Sequence, residues 1–159
     1  MLVMSRNKNL RVISYNCQGF KPRNYDYIMG LFHNNDVLLL QEHWLFDFEF
    51  PNFKKVLGKC NYLAKSNMKS NEINNGRPYS GVAVIFKPEI NANIDVIETL
   101  SDRLLACKIT WKNSSVNDVI LFNVYMPCNV SHNNTEFLDI MLEISSIIQM
   151  YNSYDIIFG

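Results

Sequence analysis

Neither sign of charge predominates in this sequence: fifteen Lys and Arg balance fifteen Asp and Glu. Without a basic field nothing advertises a polyanionic partner, so any contact with nucleic acid must be local. A nuclease is not excluded by this, but one argument for it is removed. The four cysteines, Cys17, Cys60, Cys107 and Cys128, show neither C-x-x-C spacing nor a compact framework. They read as reduced and mostly buried thiols. Residues 1–6 lack the apolar stretch of a signal peptide, and no run approaches transmembrane length. No membrane role is therefore expected, and the cytosol or nucleus is the expected compartment. The sequons at Asn113, Asn129 and Asn133 then read as by-products of an Asn-rich composition, and no repeat of solenoid period occurs.

What is present suits a single globular domain. Of 159 residues, 48% are hydrophobic and 19% charged, which provides a core without disulfide staples. The chain is organised around Asp36 to Trp44. Val37 to Leu40 form an unbroken apolar run, the pattern of a strand covered on both faces. It ends in Gln41 and Glu42, a polar pair at the edge where an α/β sheet commonly presents its chemistry. A carboxylate delivered by a buried strand can hold a hard cation such as Mg2+. Equally, Glu42 can simply begin a solvated loop.

Leu10 to Tyr15 alternates and is rich in β-formers, so it reads as the first strand, stopped by the turn residues Asn16 to Gly19. Asn16 either caps that turn through its side-chain oxygen or turns the same oxygen to a metal or phosphate. Tyr25 to Phe32 predicts a short helix with Ile28, Met29 and Phe32 on one side, giving a βαβ-like opening. Leu45 to Tyr62 is aromatic and irregular. Phe46, Phe48, Phe50 and Phe53 cluster about Pro51, a stripe that belongs in a core or stacks on nucleobases. Ser66 to Pro78 is a polar surface loop.

Gly81 to Phe86 predicts a buried strand, Ala92 to Glu98 and Leu104 to Trp111 two more, with Arg103 at the entrance of the latter. Val119 to Val124 follows as a hairpin partner, halted at Pro127 with Tyr125 at its mouth. A helix capped by Asn134 or Thr135 runs to about Met150 with a broad apolar face, and Tyr154 to Gly159 starts another buried strand.

Asn16, Glu42 and Tyr125 thus each follow a β-run and precede a turn signal. An amide, a carboxylate and a phenol gathered on one rim suit phosphate-ester hydrolysis. The carboxylate holds a metal, the metal polarises the phosphoryl oxygen, and neutral donors brace the developing charge.

These segments resemble the motifs of the endonuclease/exonuclease/phosphatase superfamily, over nearly the whole chain. Ser14 to Gly19 (SYNCQG) resembles its opening motif, whose Asn lies at the metal and phosphate site. Leu40-Gln-Glu42 resembles the second, whose Glu is the principal metal ligand. Tyr79 to Val84 resembles the glycine-led central strand, and Arg103 to Ala106 the segment before the next. Asn123 to Pro127 (NVYMP) resembles the Y-x-P motif, whose Tyr bonds the scissile phosphate. In flavour QEHWL and NVYMPC are closest to endonuclease domains of non-LTR, LINE-like retrotransposons.

The resemblance implies an α/β fold, the N-terminal part of a DNase I-like four-layer α/β/β/α sandwich. It spans residues 10–159, with residues 1–9 as an extension. It further implies a Mg2+-dependent (or Mn2+-dependent) phosphodiester hydrolase that nicks DNA, with Glu42 and Asn16 at the metal and Tyr125 on the phosphate. Arg103 and Asn129 would contact substrate.

Departures are equally plain. The family's later G-D-x-N and S-D-H motifs have no counterpart here: Tyr154 to Gly159 resembles the strand before the first of them. Cys128 stands where DNA-repair relatives have an Asn, with Asn129 one step on. His33, His43 and His132 do not match the family's His, and none is expected to act as a base. The chain as given is therefore expected to nick poorly or not at all, and to expose apolar sheet surface that favours self-association. Two other readings stay open. One is a phosphomonoesterase or lipid phosphodiesterase of the same fold. The other is a non-catalytic retroelement remnant.

Overall fold

The structure, a computed structural model, describes residues 10–68, 79–112, 117–127 and 134–159. Asn129, Cys128, His132, the three sequon asparagines and most of the polar loop before Tyr79 lie outside the described residues.

The apolar run of the second predicted strand is indeed central. Strand β2 (Val37–Gln41) is buried at all five positions. It pairs in parallel with β1 (Val12–Asn16), as the intervening helix α1 (Pro22–Asn34) allows, because parallel neighbours need a crossover. On its other side it meets β4 (Val82–Phe86) antiparallel, and β4 meets β3 (Asn61–Lys65), so the first sheet has the order β1-β2-β4-β3. The second sheet has the order β5-β6-β7-β8, formed by β5 (Ala92–Ile97), β6 (Leu104–Trp111), β7 (Val119–Val124) and β8 (Asp155–Phe158). Its one parallel pair, β7 with β8, is again bridged by a helix, α3 (Asn134–Met150).

The period-2 alternation of these strands sorts their side chains into three layers of core. Leu38, Leu40, Ala83 and Ile85 face α1 and the short helix α2 (Asn52–Leu57), against Ile28, Phe32 and Phe53. Their alternates Val37, Leu39, Val82 and Val84 face the other sheet, against Leu105, Cys107, Ile109 and Leu121. The outer face of that sheet, with Leu104, Ala106, Ile120 and Phe122, is covered by Ile140, Ile144 and Ile147 of α3. The result is the expected α/β/β/α order. Cys17, Cys60 and Cys107 are buried free thiols, as expected of reduced residues.

Several details differ from the sequence reading. Helix α1 starts three residues before Tyr25, with Pro22 in its first turn, where a missing N–H costs nothing. Its buried stripe is Ile28 and Phe32, spaced i to i+4, while Met29 turns outward and is 38% exposed. The segment read as irregular holds helix α2, too short to show a period, and ends in strand β3, which the sequence hid because a half-exposed edge strand lacks a continuous apolar run. Finally, β8 is half-exposed rather than buried, since it has one neighbour among the described residues and Phe158 is 54% exposed. On α3 the buried stripe is Ile140, Ile144 and Ile147, spaced i, i+4 and i+7, so Leu138 and Leu142, counted in its broad apolar face, lie exposed instead.

Candidate active site

The C-terminal ends of β1, β2 and β7 meet on one rim. In-register pairing sets Asn16 beside Gln41, and the backbone continues the match beyond both strands. Cys17 N–H donates to the Gln41 carbonyl, Gly19 N–H to that of Glu42 and Phe20 N–H to that of His43. The chain after β2 also runs beside the approach to β4, with His43 and Trp44 N–H donating to the carbonyls of Gly81 and Ser80.

Among the described residues the strained backbone gathers at this rim. Among the described residues four non-glycines have positive φ: Gln18 (46°), Glu42 (55°), Trp44 (57°) and Ser80 (64°). All four lie here. Left-handed conformations cost non-glycine residues on the order of 1–3 kcal/mol each, and surrounding structure must enforce them.

At Glu42 the strain re-aims a side chain. Simple alternation would send it to the helix-covered face, with Leu38 and Leu40. The left-handed turn instead brings its carboxylate to Asn16, whose Nδ2 donates to Glu42 Oε1 at 2.8 Å. Asn16 Oδ1 meanwhile accepts the N–H of Gln18 at 3.2 Å. Asn16 therefore does two things: it closes the turn, as the local reading allows, and it braces the carboxylate. Asn24 secures the same turn from α1, with Nδ2 donating to the carbonyls of Cys17 and Gly19.

Tyr125 follows β7 on the facing sheet. Its N–H donates to the Arg103 carbonyl at 2.9 Å, and the Arg103 guanidinium lies over its ring, 5.2 Å from the centroid. Arg103 Nε also donates to Glu136 Oε1 of α3 at 2.8 Å. Its cation is thus engaged by a carboxylate and a π face.

His43 is a structural group. It is fully buried, its Nδ1 accepts the N–H of Leu45, and its Nε2 contacts the Lys65 carbonyl at 3.0 Å. That pattern fits a neutral ring protonated at Nε2, and burial pushes its pKa down to about 4. The imidazole is therefore no general base for a reaction at the rim.

Asn123 escaped sequence reasoning at this site, and Gln41 was noted only as one of the polar pair at the strand's end. Gln41 Nε2 donates to Asn123 Oδ1 at 2.6 Å and to Ser14 Oγ at 3.0 Å. Asn123 Nδ2 in turn donates to the carbonyls of Leu40 and Ala83. Both lie inside quoted motifs, but only their burial in a largely apolar layer marks them as a pair.

The fold, two facing four-stranded sheets with helices outside both, is DNase I-like. The sequence pattern of the Endonuclease/Exonuclease/phosphatase family matches residues 13–152, and the chain belongs to that family. No protein of curated function matches the sequence significantly. Among solved structures, AP endonuclease LMAP from Leishmania major is similar at 12% identity and TM-score 0.66, over 94% of this chain and 54% of that one. The APE2 catalytic domain from Xenopus laevis is similar at 17% identity and TM-score 0.64, over 94% and 57%. A 3' phosphatase, NExo from Neisseria, bound to product DNA hairpin, is similar at 15% identity and TM-score 0.59, over 89% and 53%. At these identities the likeness defines the fold. The chain spans about half the length of these structures.

The family is generally divalent-metal dependent. Mg2+ takes oxygen ligands, keeps several waters and is usually bound through one or two carboxylates. A half-exposed Glu42 whose orientation is set by Asn16 fits that demand. Among the described residues there is no cluster of three or more His, Cys, Asp or Glu able to cage a metal. No described helix is long and apolar enough to cross a membrane.

Proposed function

We propose that residues 10–159 form part of a metal-dependent phosphodiesterase acting on DNA, of the nicking kind found in LINE-like retroelements, working in the cytoplasm or nucleus. The observation that carries this is the Asn16–Glu42 contact, made by two strand ends whose following backbone is held in strained geometry. Glu42 would ligate Mg2+, with Mn2+ as a substitute, and Asn16 fixes the carboxylate and meets the metal or phosphate. When bound, the cation supplies a Lewis acid that neutralises charge on the phosphoryl oxygens. Tyr125 donates its phenol to a non-bridging oxygen of the scissile phosphate, and Arg103 holds the phenol ring. Asn129 contacts the DNA backbone. NExo from Neisseria, a 3' phosphatase bound to product DNA hairpin, supports DNA as the substrate class.

The test uses supercoiled plasmid and the full chain. Mg2+ should convert plasmid to the open-circular form only slowly, as expected of a chain in which the later family motifs have no counterpart, and should raise the melting temperature, because a ligand bound only by the native state stabilises it by mass action. Glu42→Gln should abolish both effects. Nicking that survives Glu42→Gln, or no response to Mg2+ in either measurement, would overturn the reading.

A further inference from the structure

Among the described residues the layer between the two sheets is largely apolar, and beside the site its polar cluster is Ser14, Gln41 and Asn123, with Lys65 bridging the sheets at their far edge. Gln41 is 6% exposed and Asn123 is completely buried. Each carries two amide N–H donors, and all four have acceptors: Ser14 Oγ and Asn123 Oδ1 for Gln41, the carbonyls of Leu40 and Ala83 for Asn123. Rotating either amide by 180° would set like against like, so the orientation of both is determined. Leu40 and Ala83 are themselves partners in the β2–β4 ladder. One side chain of β7 therefore grips two strands of the opposite sheet.

Hydrophobic residues could fill this space with comparable stability, since buried polar clusters gain little net energy and demand exact partners. What the cluster adds is a defined register at the rim, where the facing sheets meet around it through non-directional apolar contact. Without it, small sliding there of one sheet over the other carries little penalty.

The placement of the cluster shows what that register serves. Asn16 lies two residues beyond Ser14, Glu42 one beyond Gln41, and Tyr125 two beyond Asn123. At roughly 3.3 Å of rise per residue, each site residue stands within about 7 Å along the chain of a cluster member. Alternation puts Asn16 on the face of Ser14 and Tyr125 on the face of Asn123. Glu42 departs from alternation through its left-handed backbone and still meets Asn16.

We propose that Ser14, Gln41 and Asn123 are positioning residues that hold the Asn16–Glu42 pair of one sheet at a fixed distance from Tyr125 of the other. This rests on the metal and phosphate roles proposed above. The cluster makes a two-sheet site behave as one rigid constellation, which in-line attack on a phosphate requires.

The experiment compares nicking rates at saturating Mg2+ for Asn123→Gln, Gln41→Asn and the exchanged pair Gln41→Asn/Asn123→Gln, each with and without Tyr125→Phe. Melting temperatures of all variants are measured alongside. Each single substitution should lower the rate about tenfold in the parent chain but much less in the Tyr125→Phe background, because a group that acts through Tyr125 couples to it. The exchanged pair, which conserves the methylene count, should recover most of the rate. Losses that are undiminished by Tyr125→Phe, or that follow melting temperature alone, would reduce the cluster to a stabilising one and overturn the inference while leaving the proposed function standing. A parent chain that neither nicks nor responds to Mg2+ would overturn the functional reading and this inference with it.

Discussion

The imidazole of His43 occupies the space that a side chain on Gly81 would need. A Cβ built there would fall 2.6 Å from both ring nitrogens, and Gly81 has φ of 96°, a conformation strained for any L side chain. The glycine that opens β4 is thus required twice, by its backbone and by its neighbour. Gly81→Ala should destabilise the fold by about 2–5 kcal/mol, from the combined cost of overpacking and a left-handed alanine. Urea denaturation measures this. In a His43→Ala background the substitution should cost clearly less, because the clash is gone and only the backbone strain remains. Equal costs in the two backgrounds would contradict the packing argument.

The same imidazole predicts acid sensitivity. Its pKa falls from 6.5 to about 4 through burial, so the unfolded chain binds a proton between those values that the folded chain does not. Stability from this residue is complete above about pH 6.5 and is lost as pH falls through 4, by on the order of 3 kcal/mol in total. Protonating Nδ1 would also remove the acceptor used by the N–H of Leu45. His43→Gln should flatten the stability profile across this window while lowering stability at pH 7. An unchanged slope between pH 6.5 and 4 would show that another group governs the acid transition.

How much of this was legible in the sequence depends on the range of the interaction. The apolar run Val37 to Leu40 announced a central strand, because burial on both faces removes alternation. Helices α1 and α3 and the hairpin of β6 with β7 follow from periodicity and turn residues within a single window, whereas the six-residue α2 is too short to show a period. Edge strand β3 does not follow either, since partial exposure blurs both signals. Asn16 and Glu42 are marked in the sequence by their place at strand ends before turn signals and by motif resemblance, and they meet only because Glu42 takes a left-handed turn that no local residue type demands. Gln41 and Asn123, 82 positions apart, make a contact that periodicity cannot foresee. Sequence patterning reports which face is buried, and it is silent about which buried amide finds which.

Lys65 ties the far edge of the first sheet to the second. Its Nζ donates to the carbonyls of Thr99 and Ser101 and to the Thr99 hydroxyl, in the connection between β5 and β6. Burial lowers its pKa, against the nearby charges of Asp102, Glu143 and Glu98. Glu143 of α3 accepts from the N–H groups of Leu100 and Ser101, so this connection is gripped from both sides. Lys65→Met keeps the apolar stem and leaves the acceptors unmet, with an expected loss of about 1–3 kcal/mol. Hydrogen exchange should quicken first at residues 99–103. Uniform acceleration across both sheets would instead mean that the lysine contributes only to global stability.

Arg103 separates two mechanisms for the phosphate half of the site. As a direct substrate contact it would release counterion on binding DNA, and its removal would lower the salt dependence of binding by about one unit of slope. The geometry opposes this, since the guanidinium already pairs with Glu136 and covers the ring of Tyr125. Arg103→Lys retains the charge but loses the planar face that lies over the phenol ring. The expected result is about a tenfold lower nicking rate with an unchanged salt slope, because Tyr125 loses its support and the phosphate loses no cation. Glu136→Gln should do less, as partly exposed ion pairs contribute about 0–1 kcal/mol. A salt slope reduced by one for Arg103→Ala, with the rate of Arg103→Lys preserved, would move Arg103 from beneath the tyrosine to the DNA itself.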